Sequence, residues 1–80
     1  MSSIFLTFVR NWIVNKFPPI LKNLRTEKGI GQVELANILK VSKGVISLWE
    51  NGLREPGMNS LIALASFFNV TIDYLVGLEK

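Results

Sequence analysis

Apolar residues recur along this chain at spacings of three and four, with polar residues between them. No segment sustains the spacing of two that a half-buried strand requires, so the pattern predicts an all-α protein. The clearest stripe is Leu61, Leu64, Ala65 and Phe68, an i, i+3, i+4, i+7 set that marks one helix, with Asn59 or Ser60 as its N-cap. Ahead of it, Gln32–Leu39 predicts a helix that buries Leu35, Ala36 and Leu39. Ser42 caps the next, which turns Ile46 and Trp49 inward with Val45 beside them. "NGLREPG" reads as a turn by composition, and Thr71 caps a last short helix, "IDYLVG", closed by Gly77.

The beginning of the chain divides at "FPP". Phe17 precedes a proline and is expected to be extended, while Pro18 and Pro19 cannot continue a helix but can start one. A helix is therefore predicted from about Pro19 to Lys28, with Ile20, Leu21 and Leu24 on one side and Gly29 closing it. Before the prolines, Phe5, Phe8, Val9, Trp12 and Ile13 recur at helical spacing, separated by Arg10, Asn11 and Asn15. The expected organisation is an amphipathic helical extension over residues 1–17 and a five-helix domain over residues 18–80.

Composition narrows the chemistry. The chain has 80 residues, 49% apolar and 19% charged, which suits one small globular domain. It has no cysteine and no histidine, so disulfides, thiolate nucleophiles, imidazole bases and the usual zinc sites are excluded. The carboxylates are scattered, and neither an enzyme nor a cofactor is expected. The lack of cysteine fits a reducing, cytoplasmic setting. A net charge of +3 permits a polyanionic partner without demanding one. The apolar opening lacks a leading positive charge and a cleavage site, and Arg10 interrupts it, so it is expected in the mature protein. It is also shorter than the roughly 20 apolar residues of a membrane span.

Two predicted helices of about eight residues, joined only by "KVS", cannot stand alone. They must cross steeply and share a core with their neighbours, and Ala36 is small enough to let a second helix pass close by. That is a helix-turn-helix arrangement. The motifs then agree in order: Leu-Arg in the first helix of the domain, Gln-x-x-Leu-Ala in the second, Val-Ser before the third, Ile-Ser-x-Trp-Glu-Asn-Gly within and after it, and Asp-Tyr-Leu near the end. Over residues 20–78 the chain resembles the DNA-binding domain of Cro and lambda-repressor-like regulators.

That resemblance implies a fold of the lambda-repressor type and a partner, double-stranded DNA. It places Ser42, Lys43, Gly44, Ser47 and Leu48 on the positions that meet base edges. The residue types suit this role. Lysine donates to guanine O6 and N7, serine pairs with either kind of group, and leucine packs on a thymine methyl. A glycine admits the backbone closely, at up to about 1 kcal/mol of helix propensity relative to alanine. Gln32 matches a glutamine that meets a phosphate at a helix start, and Asn51, Gly52 and Arg54 match the loop touching the DNA backbone on the other side. Arg25 and Glu50 match an ion pair tying the first helix to the third, a structural role. Lys22, Lys28 and Lys40 are phosphate candidates for which a solvated face is an equal alternative.

The chain departs from the family pattern in three places. Lys40 stands where glycine is common in the turn, a position of positive φ that costs a lysine roughly 1 kcal/mol. Gly31 replaces the usual serine or threonine cap, and the first 17 residues have no counterpart in the minimal domain.

One reading helix covers few bases, so a homodimer on a near-palindromic site is expected, its two helices about 34 Å apart. The dimer contact is expected from the last helix and the chain end, or from the N-terminal helix. Phe5, Phe8 and Trp12 also offer a surface for a second protein partner or a membrane interface, though with only Arg10 and Lys16 nearby any pull to anionic lipid is weak. The leading expectation is a transcriptional repressor. The rivals are the antitoxin of a toxin–antitoxin pair and an interaction module that keeps the fold without binding DNA.

Overall fold

The computed structural model describes residues 16–78, and across them runs a series of five helices without a strand. They are α1 over residues 16–27, α2 Gln32–Leu39, α3 Lys43–Glu50, α4 Met58–Phe68 and α5 Ile72–Leu75. The expected amphipathic helix with Phe5, Phe8, Val9, Trp12 and Ile13 lies outside the described residues.

Every helix contributes to one core: Phe17 and Leu21, Leu35 and Ala36, Ile46 and Trp49, Leu64 and Phe68, and Leu75. Leu21, Leu35, Ile46, Leu64 and Leu75 are completely buried, and among the described residues no polar residue is wholly buried with them. Ala36 is 2% exposed on α2, the helix that packs against α3. In a core this small each such leucine carries about 2–5 kcal/mol against truncation to alanine, comparable to the whole stability of a domain of this size.

Three boundaries differ from those the sequence predicts. Helix α1 is already formed at Lys16, so Phe17 is helical rather than extended, and Pro18 and Pro19 lie inside the helix. Phe17 is 3% exposed. Burying a ring that size gains about 2–3 kcal/mol, which outweighs the preference that Pro18 imposes on its predecessor. Helix α4 begins one residue after Gly57, which is its N-cap with φ −74° and ψ 174°, so neither Asn59 nor Ser60 caps it. Glycine is an acceptable N-cap, and the apolar stripe that suggested a later start is simply absent from the first turn. Helix α5 ends at Leu75, with Val76 and Gly77 in the turn beyond.

All five helices close in the same way. A residue of positive φ follows the last turn: Gly29, Lys40, Gly52, Asn69 and Gly77. The N–H after it reaches back five residues, as in Ile30 to Arg25, Val41 to Ala36, Leu53 to Leu48, Val70 to Ala65 and Leu78 to Asp73. This is the Schellman closure, which satisfies carbonyls left over at a helix end. Lys40, at φ 60° and ψ 42°, occupies the left-handed position that its place in the turn predicted.

Candidate nucleic-acid interface

Helix α3 is built with two unlike sides. Ser42 sets its start, its hydroxyl accepting from the Val45 N–H at 3.2 Å. Ile46 and Trp49 then face the core. On the other side Lys43 and Gly44 are exposed, Ser47 is half-buried and Leu48 is 36% exposed. A side-chain carbon added at Gly44 would meet only Ser42 Oγ, at 3.8 Å, so nothing within the domain requires glycine there. The outward face thus offers an ammonium, a bare stretch of backbone, a hydroxyl and a small apolar surface.

A polar network fixes how α3 sits on its neighbours. Arg25 donates from Nε to Glu50 Oε2 at 2.6 Å and from Nη2 to Oε1 at 3.0 Å. Its third nitrogen, Nη1, donates to the Ile30 carbonyl at 2.9 Å, holding the α1–α2 connection. Gln32 adds a fourth bond, from Nε2 to Glu50 Oε1 at 3.1 Å. The Arg25 and Glu50 side chains are 11% and 4% exposed, so water screens the pair weakly. The hydrogen bond to Glu50 raises the Arg25 pKa above its ordinary value, overcoming the effect of burial, and the charge of Glu50 adds to it.

The bond from Gln32 to Glu50 is not legible in sequence, because 18 residues separate the two. Gln32 stands at the first position of α2, and its amide nitrogen is engaged within the domain. Asn51, exposed at the end of α3, folds back onto that helix: its Nδ2 donates to the Ser47 carbonyl at 2.8 Å and to Ser47 Oγ at 3.3 Å. The one-turn spacing of these two residues is a signal the sequence does contain. Gly52 follows with φ 72°, and Arg54 is exposed. Arg54 lines a groove of about 260 Å³ together with Phe17, Pro18, Pro56 and Val76. Lys22, Lys28, Lys40 and Lys43 are all exposed, and the Lys28 ammonium sits 4.9 Å from the Phe67 ring centre, a cation–π contact joining the end of α1 to α4.

A short, capped α3 held across α2, with its outward face uncovered, is the geometry of a two-helix reading unit. The family model described as helix-turn-helix matches residues 21–75. The chain belongs to the helix-turn-helix family. Similar proteins agree with this placement. This helix-turn-helix domain is 45% identical over 65 residues to the HTH-type transcriptional activator BcrR of Enterococcus faecalis, an overlap of 81% of this chain and 32% of that protein. It is 33% identical over 60 residues to the HTH-type transcriptional regulator ImmR of Bacillus subtilis, covering 75% of this chain and 47% of ImmR. The cryptic phage CTXphi transcriptional repressor RstR of Vibrio cholerae is likewise 33% identical over 60 residues, covering 75% and 54%. The chain thus spans between a third and about half of these relatives. No solved structure matches. No helix among the described residues is long and apolar enough to cross a membrane.

Proposed function

We propose that this domain binds duplex DNA at a defined sequence and regulates transcription in the cytoplasm, with α3 in the major groove. The observation that carries the proposal is the two-sided build of α3: Ile46 and Trp49 anchor it, while exposed Lys43, Gly44 and Leu48, with half-buried Ser47 among them, lie on the face a groove would meet. By the family resemblance, Ser42 and Gln32, at two helix starts, and Arg54, beyond α3, are read as contacts to the DNA backbone beside that face. Regulators of this family are what the relatives' names describe, an activator in one case and a repressor in another.

The finer reading is a repressor acting as a homodimer on a near-palindromic site. A single α3 meets too few bases for useful specificity, and twofold pairing supplies the second. Tyr74 and Leu78, 40% and 56% exposed at the α5 end, favour pairing there. Phe5, Phe8 and Trp12 keep the second reading, contact with another protein.

Selection of bound sequences from random duplex DNA, with the mass of the free and bound protein measured alongside, tests both parts. Enrichment of an inverted repeat by a dimer is the expected result. Retention that ignores sequence and shows no dependence on salt would refute DNA reading.

A further inference from the structure

Asn51 and Ser47 constrain each other in a way that biases which bases α3 accepts. The Asn51 side-chain nitrogen lies 2.8 Å from the Ser47 carbonyl oxygen and 3.3 Å from its hydroxyl oxygen. A carbonyl oxygen only accepts, so the end of the amide turned toward the helix must be its NH2 group. That group has two hydrogens, one for each oxygen. Ser47 Oγ is therefore the acceptor in its contact with Asn51, and the serine proton points elsewhere.

Helical serines and threonines commonly turn that proton back onto a carbonyl of the preceding turn. Thr26 does so in this same domain, donating to the Lys22 carbonyl at 2.9 Å and to that of Asn23 at 3.1 Å. Ser47 makes no such bond, and among the described residues its proton has no acceptor. The donor is left on the half-buried, outward side of α3, between Lys43 and Gly44 one turn earlier and Leu48 beside it.

We infer that Asn51 is a positioning residue that biases Ser47 to act as a donor toward DNA, so that Ser47 favours a base presenting an acceptor. The inference rests on the DNA reading above. Guanine O6 and N7, adenine N7 and thymine O4 qualify. Cytosine, whose major-groove edge offers only the N4 amino donor, does not. A free serine hydroxyl offers one donor and two acceptor sites; Asn51 occupies one acceptor site and turns the proton away from itself, which biases Ser47 toward donating.

The test carries the wild type, Asn51→Ala and Ser47→Ala through selection from random duplex DNA, with thermal unfolding recorded for each. The wild type is expected to disfavour cytosine at one position by about threefold to tenfold, the scale of a single hydrogen bond. Asn51→Ala frees the hydroxyl and admits cytosine there to within about twofold of the other bases, while preferences elsewhere persist. Ser47→Ala loses the same discrimination at the same position. Should Asn51→Ala unfold, Asn51→Asp gives a second route: a carboxylate only accepts, draws the serine proton inward and shifts preference toward cytosine and adenine. If the wild type selects a sequence but neither Asn51 variant alters the position that Ser47→Ala alters, the inference falls and the DNA reading stands. The inference falls alone, too, if Ser47→Ala changes no position. A wild type that enriches no sequence overturns both.

Discussion

Arg25 and Glu50, 25 residues apart in sequence, meet through two parallel hydrogen bonds of 2.6 and 3.0 Å that fasten α1 to the last residue of α3. Glu50 is 4% exposed and also accepts from Gln32 at 3.1 Å, so its removal leaves a guanidinium and an amide unpaired at once. Glu50→Ala is expected to destabilise the domain by about 2–4 kcal/mol, measured by urea unfolding. The double replacement Arg25→Met with Glu50→Leu is expected to lose less than Glu50→Ala, because no charge is then left unpaired. Equal losses would mean that the pair works mainly by packing.

Lys40 sits at φ 60° where three of the other four closures use glycine and the fourth asparagine. Lys40→Gly relieves the crowding of the side chain in the left-handed region, offset by the greater chain entropy of glycine. The expected net gain is about 0.5–1 kcal/mol in thermal unfolding. A fall in stability would show that the lysine side chain contributes contacts of its own.

Gly77 and Gly29 separate two reasons for glycine. Both have positive φ, 82° and 72°. A side-chain carbon at Gly29 meets nothing within 4 Å, whereas one at Gly77 falls 2.5 Å from Lys16 Cβ. Gly29→Ala is expected to cost about 1 kcal/mol and Gly77→Ala clearly more, since α1 and the chain end must also move apart. Parallel denaturation curves would show the difference, and equal midpoints would contradict it.

Gly44 gives the opposite expectation. It lies inside α3 with open space around it. Gly44→Ala should raise stability by up to about 1 kcal/mol. If the backbone approaches a base edge at this point, specific DNA affinity falls in the same variant. A rise in stability with unchanged affinity would remove Gly44 from the contact face.

Lys43→Ala is expected to weaken specific binding by about 1–3 kcal/mol and to relax one base position. A footprint unaltered by the substitution would displace Lys43 from base reading.

Much of this fold was legible because its signals are local. Ser42 and Thr71 cap as their residue types require, and the stripe on α4 needs only a spacing of three and four. Phe17 misled because a preference acting between neighbours was overruled by burial against residues distant in sequence. The start of α4 misled because its first turn carries no apolar residue turned to the core before Leu61, and its cap, Gly57, has no side chain to announce it. The face of α3 could be assigned from motif order. The bond from Gln32 to Glu50 could not be, because a polar side chain shown by a motif to be available has still to be traced to its partner.

Glu50 has a consequence for how this domain adapts to whatever it meets. With Arg25 and Gln32 bonded to that one carboxylate, and the Ile30 carbonyl held in turn by Arg25, α2 and α3 are tied together at this corner. They arrive as a preset die, and any tailoring to a target falls to side-chain rotamers and to the target's own pliancy. Substitutions far from the outer face, at Arg25 above all, would then retune sequence preference by tilting the die instead of recutting it.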